Sequence, residues 1–600
     1  MISDFQVPKE VADALAAFDA QQSPIDEFLV QGELATVAKG LGEPSEAERR
    51  GLAAEGLAFS FVGQNGKTSL WRTHFGPMMT REDHQGNFIC SPDIRGVSAA
   101  TVQYWTMRAG VATHPVLKAR YADLAWDLAR AVGAKAEVNM AHTAIDAYAM
   151  MTIPKYRDGL HARLIAGIRG FDLAMQIKDH GRAAAARQTL LVLHAEAISN
   201  KEPVWWVAPT RLLRDNRTGL SDAQKTALIA DLETLVTEFG NIGDPKRFNP
   251  HDLKNAADLL ERYYRRHGTE DDIKRLREAV GRGFEAAAGL GDAMVAPAFL
   301  QSAIDAYRGA GMKEDAARGR KLMEEAIQTS NKAMKSIGTP IEYKREDVDA
   351  FVAGILDDDL FLTLAKLANA FLARKTILET QLQESARTAP LQAMIPKKIM
   401  QDDHVAATVG SIKDDPAGRL VDHASMHFAL EALWLMAALE GAIEKHEYTA
   451  DHFAAWTNRL GLFDDLTFLK EGFAAWLDGD DVKALHVLVP QAERGLRAIA
   501  DAAGVPVTKA HPVTQDASVS INMGDILSSE KILAFIGEDM ALHFRALYAD
   551  PRGMNLRNRV AHGLYSPRSL NPHIVRLVVH SLLVLGVWKD IVTSRAKPKS

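Results

Sequence analysis

The stretch "ERYYRRHGTEDDIKRLREAV" (261–280) decides the fold, because a version of it returns at 304–323 as "IDAYRGAGMKEDAARGRKLM". At a period of 43 residues, Tyr264 falls on Tyr307, Gly268 on Gly311, Asp272 on Asp315 and Arg275 on Arg318. In both copies an amphipathic run ends at a glycine, which tolerates a left-handed helix C-cap, and a second helical run follows. Gly181, in "MQIKDHGRAAAARQTL" (175–190), stands 87 residues before Gly268, close to two periods. Paired helices repeating at about 40 residues predict an α-solenoid of the tetratricopeptide or HEAT type. Such a body acts as scaffold or as the docking place of a protein partner or trigger.

Outward from the repeat the helical pattern continues. It begins near Ser98 and holds for most of the chain, as in the three- and four-residue spacing of Leu117, Tyr121, Leu124, Leu128 and Val132. Residues 25–56 read as helical, and 59–96 as an irregular segment rich in Gly, Pro and aromatics with strand-like pieces at 58–62 and 68–75. "TSNKAMKSIGTPIEYKRE" (329–346) breaks the pattern and marks a boundary. The last block opens at Leu466, where Leu485, Leu488, Val489, Ala492, Leu496 and Ile499 form one apolar stripe and Glu493 pairs with Arg497 at i,i+4. A linker rich in Pro, Thr and Ser (505–520) leads to a helix expected at 528–549. The expected fold is therefore mainly α: an N-terminal mixed region (1–97), a helical repeat-like region (98–346), a helical middle (347–465) and a C-terminal helical bundle (466–600).

Composition narrows the class. A chain of 600 residues, 47% hydrophobic and 24% charged, is ordinary for a globular protein. Cys90 is the single cysteine, which excludes an internal disulfide framework and a multi-cysteine zinc site. The N-terminal stretch has no basic segment followed by an apolar core, and the most apolar run (577–588) is far shorter than the roughly 20 residues of a membrane span. Together these predict a cytoplasmic protein without a membrane segment or cofactor. Net charge is −7, but residues 551–600 carry nine Lys/Arg against Asp590, so the first 550 residues hold −15. A basic end on an acidic body suits an anionic partner such as RNA, or merely balances the body.

Several motifs invite chemistry and fall short. "GQNGKTS" (63–69) has Phe61 where a phosphate-binding loop needs its first glycine, and reads as a hairpin turn. His423, His427 and Glu431 share a helix face at i, i+4, i+8 and could ligate a metal, but no further ligand is identifiable and the face reads as a polar stripe. The aromatics of "WRTHFGP" (71–77) could stack bases, though a packed loop explains them as well.

"NLRNRVAHGL" (555–564) is different. Asn555 reads as a helix N-cap after the Gly553 turn, placing Arg557, Asn558, Arg559 and His562 on one or two helical turns that Gly563 ends or bends. Arg557 and His562 are five apart, about 140° around a helix, so one copy makes half a site. A two-fold axis would bring a second copy to complete it. Chemically the set suits RNA cleavage without metal: histidine moves a proton, arginine holds a phosphate, and asparagine orients either. Arg552 and Arg559 are further candidate phosphate contacts, and Gly563 would allow close approach. The alternative is a capped helix end in a non-catalytic scaffold, its motif only stabilising a dimer interface.

Arg557-Asn558-x-x-x-His562-Gly563 resembles the RNxxxHG motif of the domain-of-unknown-function family 4209, and is a case of the Arg-x4-6-His signature of the HEPN superfamily. "DPRGMNLRNRVAHGL" (550–564) and "AWLDGDDVKALHVLVPQAERGLRAI" (475–499) are similar to that family's last two blocks, most firmly over 466–600. "WRTHFGPMM" (71–79) and "HPVLKARYADLAWDL" (114–128) resemble its N-terminal extensions more loosely. The resemblance implies a dimerising helical bundle with the motif at the interface, and a metal-independent endoribonuclease leaving a 2′,3′-cyclic phosphate. It implies catalytic roles for Arg557 and His562, with Asn558 as orienter. HEPN ribonucleases often act in antiviral defence or toxin systems, the setting the resemblance suggests.

Overall fold

The computed structural model describes residues 4–64, 71–82, 88–333, 342–400, 405–511, 516–565 and 570–595. The chain is mainly α-helical and divides into two compact units, Met1–Leu322 and Met323–Ser600. Strands among the described residues form only two-stranded antiparallel pairs.

In the first unit the third helix, Glu46–Ser60, starts on a capping box: Ser45 Oγ accepts the Glu48 N–H, and the Glu48 carboxylate accepts the Ser45 N–H. Residues 58–60, expected as strand, are thus the end of a helix. Pairing begins only at Val62–Gly63, against Phe75–Gly76, so most of the expected 68–75 strand is loop where described. Gly66, Lys67 and Thr68 of the glycine-rich motif lie outside the described residues. The "WRTHFGP" aromatics belong to a packed loop. Asp127 accepts the N–H groups of His74 (3.0 Å) and Phe75 (2.8 Å), and the Phe75 ring is buried.

Helix Pro115–Asp127 is buried on nearly every face, which forces its polar residues into partnerships. Asp123 receives Arg169 Nε (2.8 Å) and Nη2 (2.6 Å) and the Tyr148 hydroxyl (2.8 Å). Burial pushes its carboxyl up, but the Arg169 charge and hydrogen bonds outweigh that and hold it below the usual carboxylate range.

Beyond these lie the repeated pairs, Pro250–His267 with Glu270–Leu290 and Ala296–Gly309 with Lys313–Ala333; the first three helices pack each on the next, and Arg318, early in the fourth, lies over the Tyr307 ring of the third. The repeated side chains build the same device twice. Tyr264 (2.8 Å) and both Nη atoms of Arg275 (3.0 and 2.6 Å) close on Glu233; Tyr307 (2.7 Å) and Arg318 Nε and Nη2 (3.1 and 2.9 Å) close on Glu285. The glycines are less alike than expected. Gly311 adopts φ +73°, but Gly268 is extended (φ −119°, ψ −160°), and Gly181 lies in the first turn of His180–Ser199 rather than at a helix end. Lys178 takes the left-handed position there instead.

In the second unit, one hydrophobic core collects side chains from Ile355 to Ile591, so residues 347–465 and 466–600 are built around common packing. Its centre is helix Pro572–Gly586, buried along almost its whole length and packed against Asp481–Ala502, Leu360–Ala370 and Ala450–Thr457. The stripe from Leu485 to Ile499 is buried as its spacing predicts. The "linker" carries a hairpin, Thr508–Ala510 with Ser518–Ser520. The expected helix 528–549 is instead Glu530–Ile536, Glu538–Phe544 and a π-helical turn Arg545–Ala549, broken at Gly537 (φ +79°). No single helix among the described residues is long and apolar enough to cross a membrane.

Candidate functional site

The motif helix, Leu556–Ala561, packs against the π-turn Arg545–Ala549 and helix Asp481–Ala502. On its N-terminal side the Met554 N–H donates to the carbonyl of Ala546 in the π-turn (2.8 Å). Gly553 lies so close to that carbonyl that a Cβ would stand 2.2 Å from the oxygen, so no other residue fits there without backbone movement. Leu556 is fully buried and anchors the first turn. At the far end the Gly563 N–H donates to Val560 (3.2 Å) and the Leu564 N–H to Arg559 (2.8 Å), the paired bonds of a Schellman cap. Gly563 takes φ +64° with open space where a Cβ would be. The cap's backbone geometry is therefore what calls for glycine, rather than the close approach expected from sequence.

Asn555 stands at the helix start but does not cap it. It adopts φ +51°, and its side-chain oxygen accepts Asn558 Nδ2 (2.8 Å) instead of a backbone N–H. Asn558 Oδ1 in turn accepts Arg557 Nη1 (3.2 Å), and Arg557 Nε donates to Glu493 Oε2 (2.9 Å). The other oxygen of Glu493 accepts Arg497 Nη2 (2.9 Å), which also reaches the Ile521 carbonyl (3.0 Å). Five side chains thus form one hydrogen-bonded line from helix Asp481–Ala502 into the motif. Glu493, its side chain 13% exposed, is the innermost charge in contact with Arg557.

His562 sits just beyond the last helical residue and is exposed, its N–H donating to the Asn558 carbonyl (3.0 Å). The structure therefore brings Arg557 and Asn558 into direct contact and leaves His562 on the surface at the helix end. Arg559 lies over the Tyr565 ring, 4.0 Å from its centroid, a cation–π contact. Arg552 is committed inward. It donates to Asp550 from Nε (2.9 Å) and Nη2 (2.8 Å), and to Asp415 from Nη1 (3.0 Å). Burial pushes the Asp550 carboxyl up, but hydrogen bonds from Arg552 and the charges of Arg552 and Arg545 hold it below its usual range. A guanidinium engaged on three atoms by two carboxylates is poorly placed to take a phosphate as well. Asp550 and Arg552 also form part of the wall of a cavity of about 820 Å³ lined mainly by small and branched apolar residues.

The alternative His423 face does not converge. His423 Nε2 meets Gln381 (3.4 Å), while His427 Nε2 meets Glu431 (3.2 Å), which already lies past the helix end at Leu430. Among the described residues no group of three His, Cys, Asp or Glu side chains is arranged to hold a metal ion.

Sequence reasoning missed two residues of the site. Glu493 was legible only as the i,i+4 partner of Arg497; its bond to Arg557 spans 64 residues and leaves no local pattern. Asp550, two residues before Arg552, carried a local signal, since an aspartate at that spacing can fold back on the arginine.

The fold and site define a mainly α-helical protein with a polar, motif-bearing helix end in its second unit. Residues 45–186, in the first unit, are similar to a family described as a domain of unknown function (DUF7380). No curated protein and no solved structure matches the chain.

Proposed function

We propose that the chain is a metal-independent endoribonuclease of HEPN type, acting as a homodimer on RNA. The observation that carries the reading is the motif's division of labour: Arg557 held in a hydrogen-bonded line, and His562 exposed at the end of the same short helix. In the reaction the RNA 2′-oxygen attacks its neighbouring phosphorus, the bond to the 5′-oxygen breaks, and a 2′,3′-cyclic phosphate and a 5′-hydroxyl result. One imidazole takes the 2′-hydroxyl proton and another supplies the proton to the leaving oxygen, so two copies of His562 serve where one copy has a single histidine. Arg557 stabilises the charge that builds on the phosphate. The helical first unit recruits RNA or a trigger.

The test is cleavage of single-stranded RNA by the full chain in EDTA, with His562→Ala and Arg557→Ala compared. Cleavage lost in both variants is the expected result. Cleavage abolished by EDTA would overturn the metal-free mechanism. Cleavage that persists in His562→Ala would remove the motif from the chemistry, leaving the scaffold reading, in which the motif only steadies a dimer contact.

A further inference from the structure

We infer that Glu493 is the positioning residue of Arg557: it grips one edge of the guanidinium so that the rest faces a phosphate in a fixed orientation. The inference rests on the ribonuclease reading for its consequence, but its geometry stands alone. Arginine has five N–H donors in a planar fork, and a phosphate is best met by two of them in parallel. A mobile surface arginine must lose rotamer freedom to do this. Here that ordering is done in advance. Glu493 takes Nε at 2.9 Å and Asn558 takes Nη1 at 3.2 Å, so the plane of the fork is set by contacts at two of its three nitrogens, neither of which uses Nη2.

Both holders are themselves held. Glu493 projects from a helix whose adjoining stripe, including Leu488, Val489, Ala492 and Leu496, is buried in the core, and its second oxygen is occupied by Arg497. Asn558 is fixed by Asn555, whose left-handed backbone turns its side chain toward Asn558 instead of the helix start. A positive φ at a non-glycine residue is uncommon, although asparagine tolerates it best. Its use here serves the line of side chains leading to Arg557. Glu493 also offsets the arginine's charge in a half-buried place, so the fork stays ordered without a bound anion.

The experiment reads position and activity separately, on the full chain. Selective ¹⁵N labelling of arginine reports each Nε–H, and the Arg557 signal is assigned by its loss in Arg557→Lys. In the wild type that signal should exchange slowly with water. It should exchange at least about tenfold faster in Glu493→Ala and be largely preserved in Glu493→Gln, whose amide oxygen can still accept Nε–H. In cleavage assays Glu493→Ala should lower kcat about ten- to a hundredfold with KM changed less than about threefold, the pattern of lost preorganisation. Glu493→Gln should recover most of that rate. Adding Glu493→Ala to Arg557→Ala should cost nothing more, because Glu493 acts through Arg557.

An Arg557 signal indifferent to Glu493→Ala would overturn the inference, as would a full additional loss in the double variant. If the wild type cleaves no RNA while the signal depends on Glu493, the positioning stands and the ribonuclease reading falls. If His562→Ala abolishes cleavage but Glu493→Ala leaves rate and signal intact, the reverse holds. Melting curves on each variant exclude loss of fold as the cause.

Discussion

The repeated helix pairs of the first unit and the motif of the second both seat an arginine on a glutamate, but in different ways. In the repeats the fork is closed: Arg275 and Arg318 each give two nitrogens to the two oxygens of one glutamate, and a tyrosine hydroxyl completes the cluster. In the motif, Arg557 gives Nε to a single oxygen of Glu493 and Nη1 to a neutral amide. The first arrangement satisfies the arginine and fastens three successive helices. The second orients it without consuming it. The same residue types thus make a rivet in one place and a held tool in the other, and only the geometry distinguishes them.

The sharpest way to break that contrast is to remove the tool. His562→Ala and Arg557→Ala should each lower RNA cleavage by roughly 10²–10⁴-fold, while the melting temperature of the full chain stays put, because His562 is exposed and Arg557 half-buried. A matching loss in melting temperature would make Arg557 a rivet after all.

A second effect separates the exposed histidine from two buried in the same unit. His543 and His580 are fully buried, their rings 5.1 Å apart, on Glu538–Phe544 and Pro572–Gly586. Burial drives both below the usual histidine range, His580 to about 4 despite the backbone carbonyls of Ala368 and Leu367, and His543 well below it, with the neighbouring His580 and His427 pushing the same way. The folded state therefore keeps them neutral while the unfolded chain takes up protons below pH 6.5. Stability is complete above about 6.5 and falls as the pH drops toward 4, by on the order of 3 kcal/mol for His580. Denaturation across that window should show the loss, and His580→Leu should flatten it.

Asp550→Ala tests the intermediate case, a carboxylate shared by two arginines, Arg545 and Arg552. Removing a buried partner costs about 3–5 kcal/mol, and the partial exposure of both arginines reduces this to about 2. The motif follows Asp550 directly, so cleavage should fall along with the melting temperature. The smallest effect belongs to the rivets. Tyr307→Phe should cost about 1 kcal/mol, and Arg318→Ala, half exposed, about 0.5–1 kcal/mol, with cleavage unchanged. A large loss of cleavage from either would tie the repeats to the chemistry.

The repeat was legible because Tyr264, Tyr307, Arg275 and Arg318 keep one spacing, and each is needed for the same cluster. Its acceptors were not, since Glu233 and Glu285 lie 52 residues apart and fall outside the 43-residue register. The stripe from Leu485 to Ile499 was plain from periodicity alone, and the burial of helix Pro572–Gly586 from the apolar run within it. Residues 528–549 read as one helix because their apolar spacing is helical; Gly537 and the π-turn, which interrupt it, leave that spacing nearly intact. At the site, the identities of Arg557, Asn558 and His562 were visible, but Asn555 looked like a cap. Its left-handed backbone, and the turn of its side chain to Asn558 instead of a backbone N–H, have no signature in the residue types alone.

The rivets also set how the body can change in length. Helix Glu270–Leu290 gives Arg275 to the cluster before it and Glu285 to the cluster after it. Excising residues 268–310, one full period, would put Arg318 in the place of Arg275, opposite Glu233 and Tyr264. The array can thus lose or gain a whole step and still close every cluster. Whole helix pairs are therefore the unit of change in this part of the molecule, and variants one period shorter should fold where variants half a period shorter, lacking one helix of a pair, should not.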